Sequence, residues 1–121
     1  MHELGVVFYI IRDVKQVAEE NHVEHVRSVT LSIGEVSTVI PDYLVDCWKW
    51  AIQKEPLLAG SGEGRPPCEL RVERIPAVTY CEDCRCEYST IEHGKICPHC
   101  GSEHTYLKQG SEVEIKEIEV S

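Results

Sequence analysis

Four cysteines constrain this chain more than any other feature. Cys81-Glu82-Asp83-Cys84 and Cys97-Pro98-His99-Cys100 form two CxxC pairs separated by twelve residues. That spacing suits a four-thiolate tetrahedral zinc site. A CxxC turn lets two sulfurs reach one ion while nearby backbone N–H groups point at them. Gly101 follows the second pair, where a knuckle needs a left-handed residue. The first pair is less regular, because Arg85 stands at the glycine position and Cys86 follows it. Cys86 could therefore compete as a ligand, but Cys84 completes the symmetric set. Iron in a rubredoxin-like site would use the same four ligands. A thiol redox centre fits poorly, because neither pair opens a helix in a βαβ setting. With all four positions filled by protein, zinc here is architectural and not catalytic.

There are seven cysteines, an odd number, which argues against a disulfide scaffold and for a reducing, cytoplasmic setting. The first residues, MHELGVVFYIIRDVK, lack the basic start of a signal peptide. No run of apolar residues is long enough to span a membrane. The formal net charge is −9, and acidic residues outnumber basic ones around the cysteines. A nucleic-acid binder needs a basic face to displace counterions, so that class is disfavoured.

Hydrophobic periodicity sets the fold class. Leu4, Val7, Ile11, Val14 and Ala18 recur at helical spacing and predict an amphipathic helix over 4–20. Val29, Leu31 and Ile33 alternate with Ser28, Thr30 and Ser32, predicting a strand over 26–36. Pro41 is suited to open a second helix that stops before Pro56. Trp48 and Trp50 face different sides of it, one for the core and one for a contact surface. The glycine- and proline-rich stretch 56–67 reads as a loop. Two further strands begin near Cys68 and Val113. Their apolar phases slip alike, which suggests that they are paired neighbours. The expectation is an α+β fold: two helices packed on a small antiparallel sheet, with an inserted four-cysteine zinc-knuckle subdomain. Residues 1–76 and 107–121 would form the main domain and 77–106 the insertion.

The remaining cysteines and histidines have plain readings. Cys47 and Cys68 lie on apolar faces and read as core thiols. His22 and His25 flank the first turn and read as exposed. His93, His99 and His104 cluster in sequence around the zinc ligands, as solvated residues or as a pH-responsive surround.

Met1-His2-Glu3 attracts attention for its chemistry. A free α-amine, the next amide and the imidazole of a second-position histidine can chelate one Ni(II) or Cu(II) ion. An exposed histidine at a frayed terminus is the simpler reading of those residues alone.

The whole chain, however, resembles the HypA/HybF family of nickel metallochaperones that serve [NiFe]-hydrogenase maturation. MHEL at 1–4 opens directly into a helix, and LSIGEVSTVIPDYL follows at 31–44. Both CxxC pairs come next, and QGSEVEIKEIEV closes the chain at 109–120. The order and spacing of these pieces together carry the resemblance. It implies a Ni2+ site at Met1, His2 and Glu3, with Asp42 nearby, and a structural Zn2+ on Cys81, Cys84, Cys97 and Cys100, one ion of each per chain. It also implies a HypB-type GTPase and a [NiFe]-hydrogenase large-subunit precursor as partners, with urease maturation proteins in some members. Arg85-Cys86 departs from the family's usual glycine. No Ser/His/Asp set, phosphate loop or open zinc position points to an enzyme. The competing function is a zinc-ribbon interaction or nucleic-acid-binding module without a nickel role.

Overall fold

The computed structural model describes residues 3–60 and 64–120. Its elements are α1 (Glu3–Glu20), β1 (Val26–Gly34), α2 (Pro41–Ala51), β2 (Glu69–Ile75), β3 (Val78–Cys81), β4 (Glu87–Ser89), α3 (Thr90–His93), β5 (Thr105–Gln109) and β6 (Val113–Val120). One three-stranded sheet has the order β2-β1-β6 and a second the order β4-β3-β5. The chain divides into two compact units. The first comprises Met1–Leu31, Val39–Glu73 and Glu114–Ser121, and the second Ser32–Thr38 and Arg74–Val113. Two main helices with small sheets make the α+β class expected from the periodicity.

In the first unit the apolar stripe of α1 buries Val7, Ile10, Ile11, Val14 and Ala18. The helix then stops without a glycine. His22 takes φ 56°, Val23 N–H donates to Ala18 O at 2.9 Å, and His22 N–H donates to Glu19 O at 3.3 Å. This is a Schellman ending in which histidine occupies the left-handed position. The Asn21 side-chain amide adds a bond to Val17 O at 2.8 Å. The reversal exposes His22 but buries His25, which is 5% exposed. His25 thus departs from its sequence reading, because it immediately precedes buried Val26 at the entry to β1.

Pro41 opens α2, with Leu44 N–H donating to Ile40 O at 3.0 Å. Leu44, Trp48 and Ala51 face inward, and a 3-10 turn over Ile52–Lys54 finishes the segment before Pro56. Trp48 is buried and its indole N–H donates to Cys68 O at 2.9 Å. That bond satisfies the one polar atom of the ring and pins the far end of the 56–67 loop. Cys68 N–H donates to Leu58 O at 2.8 Å and closes the same loop. Trp50 is 60% exposed, so Trp48 is the core member of the pair and Trp50 lies at the surface.

β1 buries Val29, Leu31 and Ile33 completely. It also lies between β2 and β6, which corrects the expected pairing of those two strands. The phase slip the two strands share is thus no sign of direct pairing: each neighbours β1 instead. Lys116 of β6 reaches Glu73 of β2 at 2.6 Å. Among the described residues no helix is long and apolar enough to cross a membrane.

In the second unit, β3 pairs antiparallel with β4 and with β5. Its apolar cluster is Cys81, Tyr88 and Cys97, with Cys84 packed against them. Gly34 and Gly110 are needed at its base. A Cβ on Gly34 would sit 1.9 Å from Gly110 O, and a Cβ on Gly110 2.6 Å from that of Ala77. Three backbone segments converge there too closely for side chains.

Candidate metal centres

β3 delivers Cys81 at its last residue, and the chain turns at once into the first knuckle. Arg85 N–H donates to Cys81 O at 2.8 Å, and Cys81 N–H donates to Cys86 O at 2.9 Å. The second knuckle repeats both bonds. Gly101 N–H donates to Cys97 O at 2.8 Å, and Cys97 N–H donates to Ser102 O at 3.0 Å. Gly101 has φ 73° and Arg85 has φ 61°. The arginine therefore adopts the glycine conformation, at a cost of about 1 kcal/mol. The irregular first knuckle is regular in geometry.

The two knuckles bring Cys81, Cys84, Cys97 and Cys100 together, with all four sulfurs within 4.8 Å of one another. Cys81 and Cys100 lie 3.6 Å apart, and Cys84 and Cys97 3.5 Å. A tetrahedral zinc site with bonds of about 2.3 Å places its sulfurs about 3.8 Å apart. The donor set fits that ion in number, softness and spacing, and the cluster is consistent with structural zinc. Cys86 stays out of it, and its thiol donates to Cys84 O at 3.7 Å.

The protein primes this cluster electrostatically. Burial opposes ionisation of Cys97, but the amides of Cys100 and His99 and the neighbouring thiols outweigh it, and its pKa falls to about 7. His99 N–H lies 3.4 Å from Cys97 Sγ. For Cys84 the Cys86 amide lowers the pKa, yet burial and the thiols of Cys97, Cys81 and Cys100 raise it overall. Cys100 moves up as well: the Ser102 amide pulls it down, but burial and the Cys81 thiol prevail. One thiolate is therefore ready near neutrality, and a bound cation would displace the remaining protons.

Sequence reasoning missed the residues that bind one knuckle to the other. Ser102 Oγ donates to Asp83 Oδ2, His104 N–H donates to Ser102 Oγ at 3.0 Å, and His104 Nδ1 lies 3.1 Å from the same Asp83 oxygen. The Ser102 hydroxyl, with a smaller contribution from His104, holds the Asp83 carboxyl below the usual carboxylate range. The only sequence signal was a hydroxyl residue directly after Cys100-Gly101. His93, His99 and His104 are all exposed, and His93 meets the Tyr88 ring edge-on.

Met1 and His2 lie outside the described residues. Glu3 is the first residue of α1, and its Oε2 accepts Ile40 N–H at 3.4 Å, at the start of α2. Asp42 is exposed in the first turn of α2. Among the described residues, the four cysteines are the group assembled to hold a metal.

A family model described as hydrogenase/urease nickel incorporation, metallochaperone, HypA matches residues 1–120. The chain belongs to the HypA family. Its members are metallochaperones of nickel incorporation, not enzymes. The hydrogenase maturation factor HypA of Actinobacillus succinogenes is 32% identical over 120 residues, covering 99% of each chain. The HypA of Trichormus variabilis is 37% identical over 120 residues, covering 99% of this chain and 96% of its own. The solution structure of the Ni metallochaperone HypA from Helicobacter pylori superposes with a TM-score of 0.71 at 21% identity. It covers 99% of this chain and 97% of its own, which supports the fold.

Proposed function

We propose that this chain carries one Ni(II) ion at its N-terminus and delivers it to the [NiFe]-hydrogenase large-subunit precursor. The observation that carries this reading is the family match, which begins at residue 1 and so includes the segment bearing the proposed ligands. His2 is the essential donor, joined by the Met1 amine and nearby amides. Glu3 offsets the repulsion that a helix N-terminus exerts on a cation. The contact of Glu3 with Ile40 N–H supports this, because it ties the first residue of α1 to the start of α2, where Asp42 adds negative charge. The four-cysteine cluster holds one Zn2+ that folds the inserted module and takes no part in carriage. A HypB-type GTPase acts with the protein in the cytoplasm, and urease maturation proteins are further partners.

The test is a titration of Ni(II) into the full chain without an N-terminal tag, since a tag would remove the Met1 amine. One equivalent should bind to the wild type and be lost in His2→Ala, with zinc content unchanged. Equal nickel binding by both proteins would refute the N-terminal site.

A further inference from the structure

The two knuckles are internally alike but externally different. The third position of each CxxC is Asp83 in the first and His99 in the second. The residue two places after each pair is Cys86 in the first and Ser102 in the second. Cys86 spends its thiol within its own knuckle, on Cys84 O. Ser102 instead spends its hydroxyl across the site, on Asp83 of the other knuckle, and accepts the His104 amide as well. The cross-link is made through Ser102, next to the ligand most open to solvent. Cys81 and Cys97 are essentially buried, whereas Cys100 is exposed. A competing chelator meets Cys100 first, and Ser102 holds the chain just after it.

We propose that Asp83 and Ser102 form a clasp that closes the second knuckle over the metal and sets how slowly zinc leaves. The idea rests on the four-cysteine metal reading. It adds that retention is governed by a hydrogen bond outside the ligand set. Both residues are positioning residues: their side chains touch no ligand sulfur but restrain the backbone that carries Cys100. The effect falls on dissociation, because the thiolates themselves are unaltered.

The test uses the zinc-loaded full chain and a chromogenic chelator in excess. Ser102→Ala and Asp83→Ala should each release zinc about fivefold faster, the loss of one hydrogen bond of ordinary strength. The double variant should release zinc more slowly than the product of the two single effects, because the bond between the two residues is lost in both. Ser102→Thr, which keeps the hydroxyl, should retain the wild-type rate. Cys86→Ala, at the equivalent place in the other knuckle, should also release at the wild-type rate. Wild-type release by Ser102→Ala would overturn the clasp, as would equal acceleration by Cys86→Ala. Cobalt(II) substitution separates this failure from that of the underlying reading. Every variant should keep the strong thiolate charge-transfer bands of a four-sulfur site. If the wild type itself lacks them, the four-cysteine reading fails and the clasp with it.

Discussion

Cys68 and Cys97 are almost equally buried, 3% and 1% exposed, yet their thiols are driven in opposite directions. Burial and the adjacent Glu69 push Cys68 up to about 12. Its weak 3.9 Å contact to Glu69 O places an acceptor, not a donor, beside the sulfur. Cys97 is brought down to about 7 because backbone amides converge on it. Desolvation alone thus does not decide whether a buried thiol is inert or a ligand. At Cys97 the donors supplied by the local turn reverse the effect of burial. The contrast extends to the two units. The first is held by aliphatic side chains such as Val14, Val29, Leu31 and Leu44, all fully buried. The second has a cluster of Cys81, Tyr88 and Cys97, two of which belong to the candidate metal site. The expectation is that one unit folds by expelling water from hydrocarbon and that the other needs an ion.

The largest test of that contrast is Cys97→Ser. It should abolish zinc binding and collapse the amide NMR dispersion of 77–106, while signals from α1, α2 and β1 keep native shifts. Structural zinc contributes roughly 10–16 kcal/mol in small modules, far more than a three-residue cluster can replace. Dispersed signals from 77–106 in metal-free protein would show that the unit folds without its ion.

Leu44→Ala probes the opposite side. Removing a fully buried leucine should cost the first unit about 3 kcal/mol or more in urea unfolding, with one zinc per chain retained. A fall in zinc content would mean that the hydrocarbon core also sustains the metal site.

The effect confined to the narrowest conditions concerns Cys68 and appears only in alkali. An ordinary thiol ionises near 9.0, whereas folded Cys68 holds its proton to about 12. Between these values the unfolded chain binds fewer protons, so stability should fall as pH rises. The slope should approach about 1.4 kcal/mol per pH unit. Cys68→Ala should be flatter than the wild type over the same range. Parallel curves would show that Cys68 ionises as easily folded as unfolded.

Much of the fold was legible because its signals are periodic. The helix from Leu4, the strand through Val29, Leu31 and Ile33, and the helix opened by Pro41 each follow from spacing that buries one face. The burial of His25 was not legible, because a lone polar residue beside a turn carries no periodicity and only the path of the chain into β1 buries it. The order β2-β1-β6 was hidden for a related reason. A phase slip records a bend in one strand and not the identity of its neighbour. The Asp83–Ser102 bond joins residues nineteen apart. Neither residue type announces such a partner.

By itself, the sequence pointed to a four-cysteine cluster, because two CxxC pairs allow few other uses of four thiols. It also determined that the helices are amphipathic and that the cysteine region lies between two strands. The tertiary structure decided which cysteine stands aside, that Arg85 takes a glycine's conformation, and which buried thiol is primed to ionise. Those outcomes depend on backbone direction. A hydrogen bond acts over about 3 Å and along one line, and no linear pattern records where an amide will point.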